Sequence, residues 1–317
     1  MRSLAAAEPG SPARPLPETR AGSGPPAPAQ GARAPMDVLR DYASLLKLRI
    51  IPLLVLTGVA ATVAASRRAP SAAAVAAVVA GGALAAGGAG AINCWFDRDI
   101  DATMSRTRRR PIPAGRIPAW HALLAGVVMN VLAFAVLDIL ANATAALLAV
   151  LGAAIYVLVY TAWLKRVTSL NIVIGGAAGA MPPLVGWAAA TGGLSWTALS
   201  LFLVIFLWTP VHFWALAQML RADYRRAGIP MLPVVRGAGH TRGRSLVYAA
   251  LTVLASTVPF FMRSEGVVYL AGAAALGLGL LALCWLDLTR RTWTSRVFSY
   301  SLVYLAALFG LLMAAAV

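Results

Sequence analysis

Charged residues are scarce in this sequence, and lysine is the scarcest of them. Only 12% of the 317 residues are charged, against about a quarter in an ordinary soluble domain. With 60% hydrophobic residues, the chain has more apolar surface than a soluble fold can bury. This composition excludes a water-soluble globule and a wholly disordered chain. The two cysteines, Cys94 and Cys284, stand in apolar stretches and imply neither a disulfide framework nor a cysteine-based metal site.

The charge that is present is strongly basic, with 27 Lys and Arg against 11 Asp and Glu and a net charge of +16. Nucleic-acid binding would require a polar, lysine-rich surface. Only two of these 27 residues are lysines, and the arginines stand between long apolar runs. We therefore exclude nucleic acid as a partner and assign the basic residues to the rims of a membrane protein, facing membrane lipids.

The chain divides into a short polar tail and a long series of apolar segments. Residues 1–36 contain eight of the 19 prolines and no apolar run, so they are predicted to be a disordered tail rather than a signal peptide. Residues 37–317 are predicted to form one intramembrane domain of all-α class. Its polytopic architecture has nine transmembrane helices, since each segment is near the ~20 residues that span a bilayer. The predicted spans are 50–66, 71–95, 120–137, 143–163, 171–190, 197–218, 246–262, 266–286 and 298–316.

The distribution of basic residues between the spans predicts the orientation. With the N-terminus inside, 20 basic residues outside the tail fall on the inner side and three on the outer side. Cytoplasmic loops of membrane proteins carry the excess of Lys and Arg. The count therefore predicts a cytoplasmic N-terminus and a C-terminus outside.

The end of the second span carries three polar side chains at helical spacing. Asn93, Asp97 and Asp101 are four residues apart, which places them on one stripe of a helix about 12 Å long, while Asp99 points away. Carboxylates at a membrane boundary are functional candidates by default, and oxygen ligands of this kind suit Mg²⁺ together with substrate phosphates. The alternative is a solvated helix end whose acids pair with neighbouring arginines.

Basic residues follow the acidic stripe and recur in a second inner loop. Arg106 and Arg110 are again four apart, and guanidinium groups suit phosphate oxygens. In the loop after the sixth span, Asp223 is likewise followed by arginines and prolines. This shared layout is consistent with two halves of a repeat that face one pocket.

Two further positions are ambiguous from the sequence. Lys165 and Arg166 lie at the same membrane face, where they are either functional or simple positive-inside anchors. His212 lies within the sixth span, and its imidazole is either a helix-packing group or a functional one such as a haem-iron ligand.

Together these segments resemble the UbiA superfamily of intramembrane prenyltransferases and, within it, the branch that farnesylates haem. The resemblance runs from about Tyr42 to the C-terminus. The motifs that carry it are Asn93-x3-Asp97-x3-Asp101, Met104-x-Arg106-Thr-x-Arg109-Arg110-Pro111, Tyr160-Thr161-x2-Leu164-Lys165-Arg166, Thr209-Pro-x-His-Phe-Trp214, and Asp223-Tyr224 with Ile229-Pro-Met-Leu-Pro233. A second acidic motif of the superfamily type would need acids at Met219 and Ala227, so only Asp223 of that motif is present.

The resemblance implies a nine-helix bundle that opens to the cytoplasmic face of a bacterial-type cell membrane. It also implies that farnesyl diphosphate binds as a Mg²⁺ complex and that its farnesyl group passes to the 2-vinyl group of haem B, giving haem O. His212 would bind the haem iron, and a haem A synthase is a candidate partner. The catalytic and Mg²⁺-binding residues implied are Asn93, Asp97, Asp101 and Asp223. The diphosphate-binding residues implied are Arg106, Arg110, Lys165 and Tyr160.

The sequence leaves two other functions open. A related enzyme could prenylate an aromatic quinone precursor, although the His212 motif argues against it. A transporter or scaffold for anionic lipids could use the arginine-rich loops without catalysis. A CDP-alcohol phosphotransferase is disfavoured because its clustered Asp/Gly signature is missing from the sequence.

Overall fold

The structure, a computed structural model, describes residues 34–66 and 69–316, and over these residues it contains helices and no strand. Most of the predicted tail, 1–33, lies outside the described residues. A π-helical segment, Ile155–Leu164, connects α6 to α7. In chain order the α-helices are α1 (Pro35–Leu45), α2 (Ile51–Ser66), α3 (Ala72–Phe96), α4 (Arg98–Thr103), α5 (Ala119–Leu140), α6 (Ala143–Ala154), α7 (Lys165–Val167), α8 (Asn171–Gly179), α9 (Met181–Thr191), α10 (Trp196–Met219), α11 (Arg221–Arg226), α12 (Leu232–Val235), α13 (Gly237–Phe261), α14 (Val267–Arg290) and α15 (Thr294–Ala315).

The helices are consistent with the nine predicted spans. Within the described ranges, eight helical stretches are long and apolar enough to cross a membrane, and α2 is a shorter apolar helix. The seventh span is longer than predicted, because the helix begins at Gly237 rather than near 246. An ion pair connects the polar first turns of this helix to α14: Arg242 Nε lies 3.3 Å from a carboxylate oxygen of Asp287.

The long helices form a closed ring. Helices that are neighbours in the chain pack on each other, and α15 packs back on α2. Small residues allow the closest approaches between the helices. A Cβ atom at Gly186 would lie 1.9 Å from the carbonyl oxygen of Gly58, and Thr62 donates a hydrogen bond of 3.1 Å to the Gly186 carbonyl.

Two irregularities within the spans were not predicted. The fifth span is interrupted between α8 and α9, just before Pro182 and Pro183, which lack the N–H groups needed to continue a helix. The fourth span becomes a π-helix, in which Thr161 Oγ donates to the carbonyl oxygen of Tyr156, five residues earlier, at 2.8 Å. Such segments are rare and often mark functional positions.

The polar loops gather at one end of the ring. The stretch 97–118, the turn near 168–170 and the stretch 220–236 all lie at the ends of spans that point the same way. Ile100 and Met104 pack there against Tyr224 and Met231, which joins the first and third of these stretches through a shared apolar cluster.

Candidate active site

The predicted acidic stripe is present as a continuous helical surface at the end of α3. Asn93, Asp97 and Asp101 are all buried, with exposed fractions of 3%, 2% and 4%. Backbone hydrogen bonds from Asp97 to Asn93 (2.9 Å) and from Asp101 to Asp97 (2.7 Å) carry the helical path from α3 into α4. The Asn93 amide donates to Asp97 Oδ2 at 2.8 Å and to Thr161 Oγ1 at 2.9 Å. The π-helix thus contributes directly to the position of the stripe.

Each member of the stripe is paired with a cation from elsewhere in the chain. Lys47, in the turn before α2, donates to Asn93 Oδ1. Lys165, after the π-helix, donates to Asp97 Oδ2 at 2.5 Å, and Arg110 donates to Asp101 Oδ2 at 2.8 Å. Both lysines of the chain therefore lie at this one site. Positive charge is concentrated where a substrate anion could replace the carboxylate partners.

One buried carboxylate oxygen in the stripe lacks a partner within residues 34–66 and 69–316. Asp97 Oδ1 is buried and receives no hydrogen bond from the described residues. A buried carboxylate oxygen without a donor is costly unless a cation or ligand completes it. No cluster of three or more His, Cys, Asp or Glu side chains converges in the described part of the chain. Mg²⁺ fits this site nonetheless, because it usually takes one or two protein carboxylates plus waters and substrate phosphates.

Asp223 lies across from the stripe in α11 and has different partners. Ser105 Oγ lies 2.9 and 2.7 Å from its two carboxylate oxygens, and Arg226 forms an ion pair with it one turn later. The Ser105 hydrogen bond, followed by the charge of Arg226, lowers the pKa of Asp223, so the group is ionised at neutral pH. Hydrogen bonds therefore connect the two predicted loops through Ser105, and no hydrogen bond within the described chain joins Asp223 directly to the stripe.

The other predicted site residues do not form hydrogen bonds with the acidic stripe in the described part of the chain. Arg106 is exposed and forms no ion pair with any described residue. Tyr160 stacks on Tyr156 with ring centroids 5.7 Å apart. Arg166 forms two hydrogen bonds with Asp99, at 2.7 and 2.8 Å, which lowers the pKa of Asp99 to about 2. The prediction that Asp99 points away from the stripe is confirmed, since its side chain is 60% exposed.

An apolar cavity of about 320 Å³ begins beside the stripe and extends into the ring. Tyr156 and Tyr160 form part of its wall, and Lys47 Nζ lies 3.2 Å from the Tyr156 hydroxyl, so the cavity meets the polar site at this tyrosine pair. His212 and Trp208 also line the cavity. A pocket of this size, mostly apolar with a polar end, suits a lipid-like substrate with a charged head.

Sequence reasoning did not identify several residues of this site. Lys47 was counted only as a positive-inside residue, although it is one of just two lysines and adopts φ 52°, a conformation that non-glycine residues rarely take. Ser105 and Thr161 carry no distinctive spacing, since their partners Asp223 and Asn93 lie 118 and 68 residues away. Only the rarity of lysine could have signalled Lys47.

Both the sequence and the fold of this chain are similar to those of UbiA-type proteins. The UbiA prenyltransferase family matches residues 54–306. A protoheme IX farnesyltransferase from Symbiobacterium thermophilum is 49% identical over 280 residues, which cover 87% of this chain and 94% of that protein. One from Roseiflexus sp. is 45% identical over 275 residues, and here the chain spans only 51% of the relative's length.

A solved structure supports the fold. The structure of a UbiA homolog from Archaeoglobus fulgidus, bound to GPP and Mg²⁺, aligns with a TM-score of 0.64 over 86% of this chain and 99% of that one, at 19% sequence identity. At this identity the likeness establishes a shared fold.

Proposed function

The chain belongs to the UbiA prenyltransferase family, and from this premise we propose that it transfers the farnesyl group of farnesyl diphosphate to the 2-vinyl group of haem B. The products are haem O and diphosphate. The observation that carries the proposal is the position of the buried acidic stripe at the mouth of an apolar cavity. Lysine and arginine side chains already contact the stripe, and a histidine lines the cavity. The names of the relatives support haem as the acceptor.

Residues of the stripe are suited to hold Mg²⁺ with the substrate. Asp97, with its unpartnered Oδ1, is the principal ligand in this proposal, and Asn93, Asp101 and Asp223 complete the oxygen-rich surroundings. The metal ion would neutralise negative charge on the diphosphate as it leaves.

The cations of the site bind the leaving diphosphate. Lys165, Arg110 and Lys47 are already held at the stripe by their present partners, so little reorganisation is needed when phosphate oxygens arrive. Arg106 is free to join them from the exposed loop, and Tyr160 lines the cavity. The C1–O bond of farnesyl diphosphate breaks, and its electron pair leaves with the diphosphate.

The cavity protects the allylic cation that results. Its apolar walls exclude water, and the rings of Tyr156 and Tyr160 offer π faces to positive charge. The vinyl group of haem forms the new bond to C1 of the farnesyl group. Water then adds to the carbocation beside the porphyrin and loses a proton, which gives a hydroxyethylfarnesyl group. In this proposal His212 binds the haem iron.

The chain is an integral membrane protein, and we place the reaction at the cytoplasmic face. The positive-inside count supports this orientation, with the polar loops and the N-terminus inside and the C-terminus outside. Farnesyl diphosphate and haem B are the proposed substrates, and a haem A synthase is the proposed recipient of the product.

Expression in a bacterium that lacks its own haem O synthesis tests the proposal. We expect extracted haems to contain haem O when the wild-type chain is expressed, and none with Asp97→Asn at equal protein level. A prenylated phenol in the lipid extract, with no haem O, would instead identify a quinone-precursor prenyltransferase. Neither product from a correctly inserted chain would favour the non-catalytic alternative.

A further inference from the structure

His212 is held by a side chain that lies 89 residues away in sequence. Its Nδ1 atom lies 2.8 Å from Ser301 Oγ, which joins α10 to α15 inside the ring. Both residues are buried, with exposed fractions of 9% and 0%. In a buried imidazole, the hydrogen bond at one ring nitrogen decides which form the other nitrogen takes.

The direction of this hydrogen bond follows from the second partner of Ser301. Ser301 Oγ lies 2.7 Å from the carbonyl oxygen of Phe298, three residues earlier on the same helix. A carbonyl oxygen can only accept, so the single hydroxyl proton of Ser301 goes to it. Ser301 Oγ then accepts from His212, and the imidazole proton resides on Nδ1. The Nε2 atom is left with a lone pair.

The imidazole plane is fixed from both sides. Trp208 stacks on one face with centroids 4.7 Å apart and an interplanar angle of 13°, and Phe298 stacks at 4.6 Å and 24°. Trp208 Nε1 also donates to the backbone oxygen of Ser301 at 2.8 Å. Ring rotation that would exchange the two nitrogens must therefore break both stacks.

Among the described side chains that line the cavity, His212 offers the one nitrogen with an available lone pair, Nε2. No described residue hydrogen-bonds to Nε2, and His212 is part of the cavity wall. The hydroxyls of Thr57 and Thr209, which also line the cavity, donate to carbonyl oxygens of their own helices at 2.9 and 2.7 Å. Arg49 is a cation and has no lone pair to offer.

From this geometry we infer that Ser301 is a positioning residue that fixes His212 as the Nδ1–H tautomer, so that Nε2 presents its lone pair to the iron of a porphyrin in the cavity. The porphyrin part of this inference rests on the proposed function, whereas the tautomer part does not. Histidines that bind metals commonly donate their other ring N–H to a partner that sets their orientation. No assignment of Ser301 follows from the sequence motifs.

The tautomer is tested on the whole protein by ¹⁵N NMR after labelling with [¹⁵N]histidine. The chain has only three histidines, and His212→Gln identifies the signal of interest. We expect Nδ1 of His212 to appear as a protonated nitrogen and Nε2 as an unprotonated one in the porphyrin-free protein. A wild-type signal protonated at Nε2 overturns the inference.

The iron contact is tested by titrating haem B and, separately, metal-free protoporphyrin IX into the purified protein in lipid nanodiscs. We expect Ser301→Ala to weaken haem B binding by about tenfold or more and to change its Soret band. Binding of the metal-free porphyrin should be unchanged, and Ser301→Thr should restore the wild-type spectrum. Ser200→Ala, which removes a similar hydroxyl on α10 that bonds within its own helix at 2.7 Å, should behave as wild type.

Comparing haem B with the metal-free porphyrin distinguishes a lost iron contact from a general packing defect. Equal loss of both from Ser301→Ala would show a packing role and overturn the inference. Tight binding of metal-free porphyrin by the wild-type protein, with a haem spectrum that Ser301→Ala leaves unchanged, would also overturn it. If the wild-type protein binds neither porphyrin, the proposed function and the iron contact both fail, and the NMR signal still decides the positioning role.

Discussion

Two buried aspartates at the same end of the bundle have opposite surroundings. Asp287, near the end of α14, has partners for both carboxylate oxygens: Thr294 contacts both, at 2.8 and 3.1 Å, the backbone N–H of Trp293 contacts one and Arg242 the other. Asp97 shares one oxygen between Lys165 and Asn93, and its other oxygen has no partner among the described residues. A closed set of partners indicates a structural role, and an open one indicates a site that a ligand completes.

The two aspartates also differ in which segments of the chain supply their partners. The partners of Asp287 lie mostly on the turn that follows it, so they stabilise the connection between α14 and α15. The partners of the acidic stripe come from the turn before α2, the end of the fourth span and the loop after α4. A site assembled from distant segments is held by the whole ring, and its geometry therefore depends on the fold as a unit.

The largest expected effect is on Asp97. Asp97→Asn removes the charge at the open oxygen, and we expect kcat/KM for haem farnesylation to fall on the order of 10³-fold, comparable to losing a principal transition-state contact. The midpoint of thermal unfolding in detergent should also fall, because the lost charge is the partner of Lys165 at Oδ2, so activity is compared per folded molecule.

Asp287→Asn is the matched variant, and it should lower stability without this loss of activity. It weakens several hydrogen bonds to a buried charge, so we expect a loss of about 2 kcal/mol in unfolding free energy. Activity per folded molecule should stay within a few-fold of wild type. Suppose that Asp287→Asn, when fully folded, reduced kcat/KM as much as Asp97→Asn. An unpartnered carboxylate oxygen would then not distinguish a functional aspartate from a structural one.

A smaller but clear effect is expected at the cation that holds Asp97. Lys165→Met removes a charge beside the diphosphate position, and we expect kcat/KM to fall about 10²-fold. The adjacent Arg166→Met is the control, since Arg166 is bound to the exposed Asp99 and should cost at most a few-fold. Steady-state kinetics on both variants checks this, and equal losses would contradict a specific role for Lys165.

Asp223 should be intermediate, because Arg226 pairs with it locally while Ser105, in the loop that follows the stripe, donates to it. We expect Asp223→Asn to lower kcat/KM by about tenfold, and Ser105→Ala to have a smaller effect in the same direction because the ion pair with Arg226 persists. Kinetics at several Mg²⁺ concentrations measures both. A loss at Asp223 larger than that at Asp97 would assign the main role to the second loop.

The smallest effect concerns pH and Asp99. Its pKa in the folded chain is about 2, below the ordinary value near 3.9, because Arg166 donates hydrogen bonds to it. The contribution of this pair to stability is therefore present above about pH 4 and disappears as the pH falls through about 2. Because the pair is largely exposed, we expect Asp99→Asn to lower the unfolding midpoint only slightly at pH 7. The difference from wild type should vanish by pH 2 in thermal unfolding scans, and a difference that grew with acidity would contradict it.

Apolar patterning was sufficient to predict the number and approximate position of the spans. Hydropathy reports burial in lipid directly, so helix existence follows from composition over about 20 residues. The stripe at Asn93, Asp97 and Asp101 was also predictable, because helical spacing is a local property. The break before Pro182 was missed although the proline pair signals it.

Other features depend on tertiary contacts that spacing does not report. The π-helix holds Tyr160 against Gly175, where a Cβ atom would lie 2.4 Å from the tyrosine ring, so its geometry depends on a neighbouring helix. The contacts of Lys47 with Asn93 and of Ser301 with His212 join residues 46 and 89 positions apart. A single sequence contains no signal for such pairs.

The most direct test of the central claim is a single-turnover assay with the purified wild-type chain in lipid nanodiscs, supplied with farnesyl diphosphate and haem B. Mass spectrometry of the extracted haem, with Mg²⁺ present and after its removal by chelation, measures product formation. We expect haem O from the wild-type protein only with Mg²⁺, formation on the order of 10³-fold slower in Asp97→Asn, and nearly normal amounts from Asp99→Asn. No haem O from a folded wild-type protein, or equal amounts from wild type and Asp97→Asn, would contradict it.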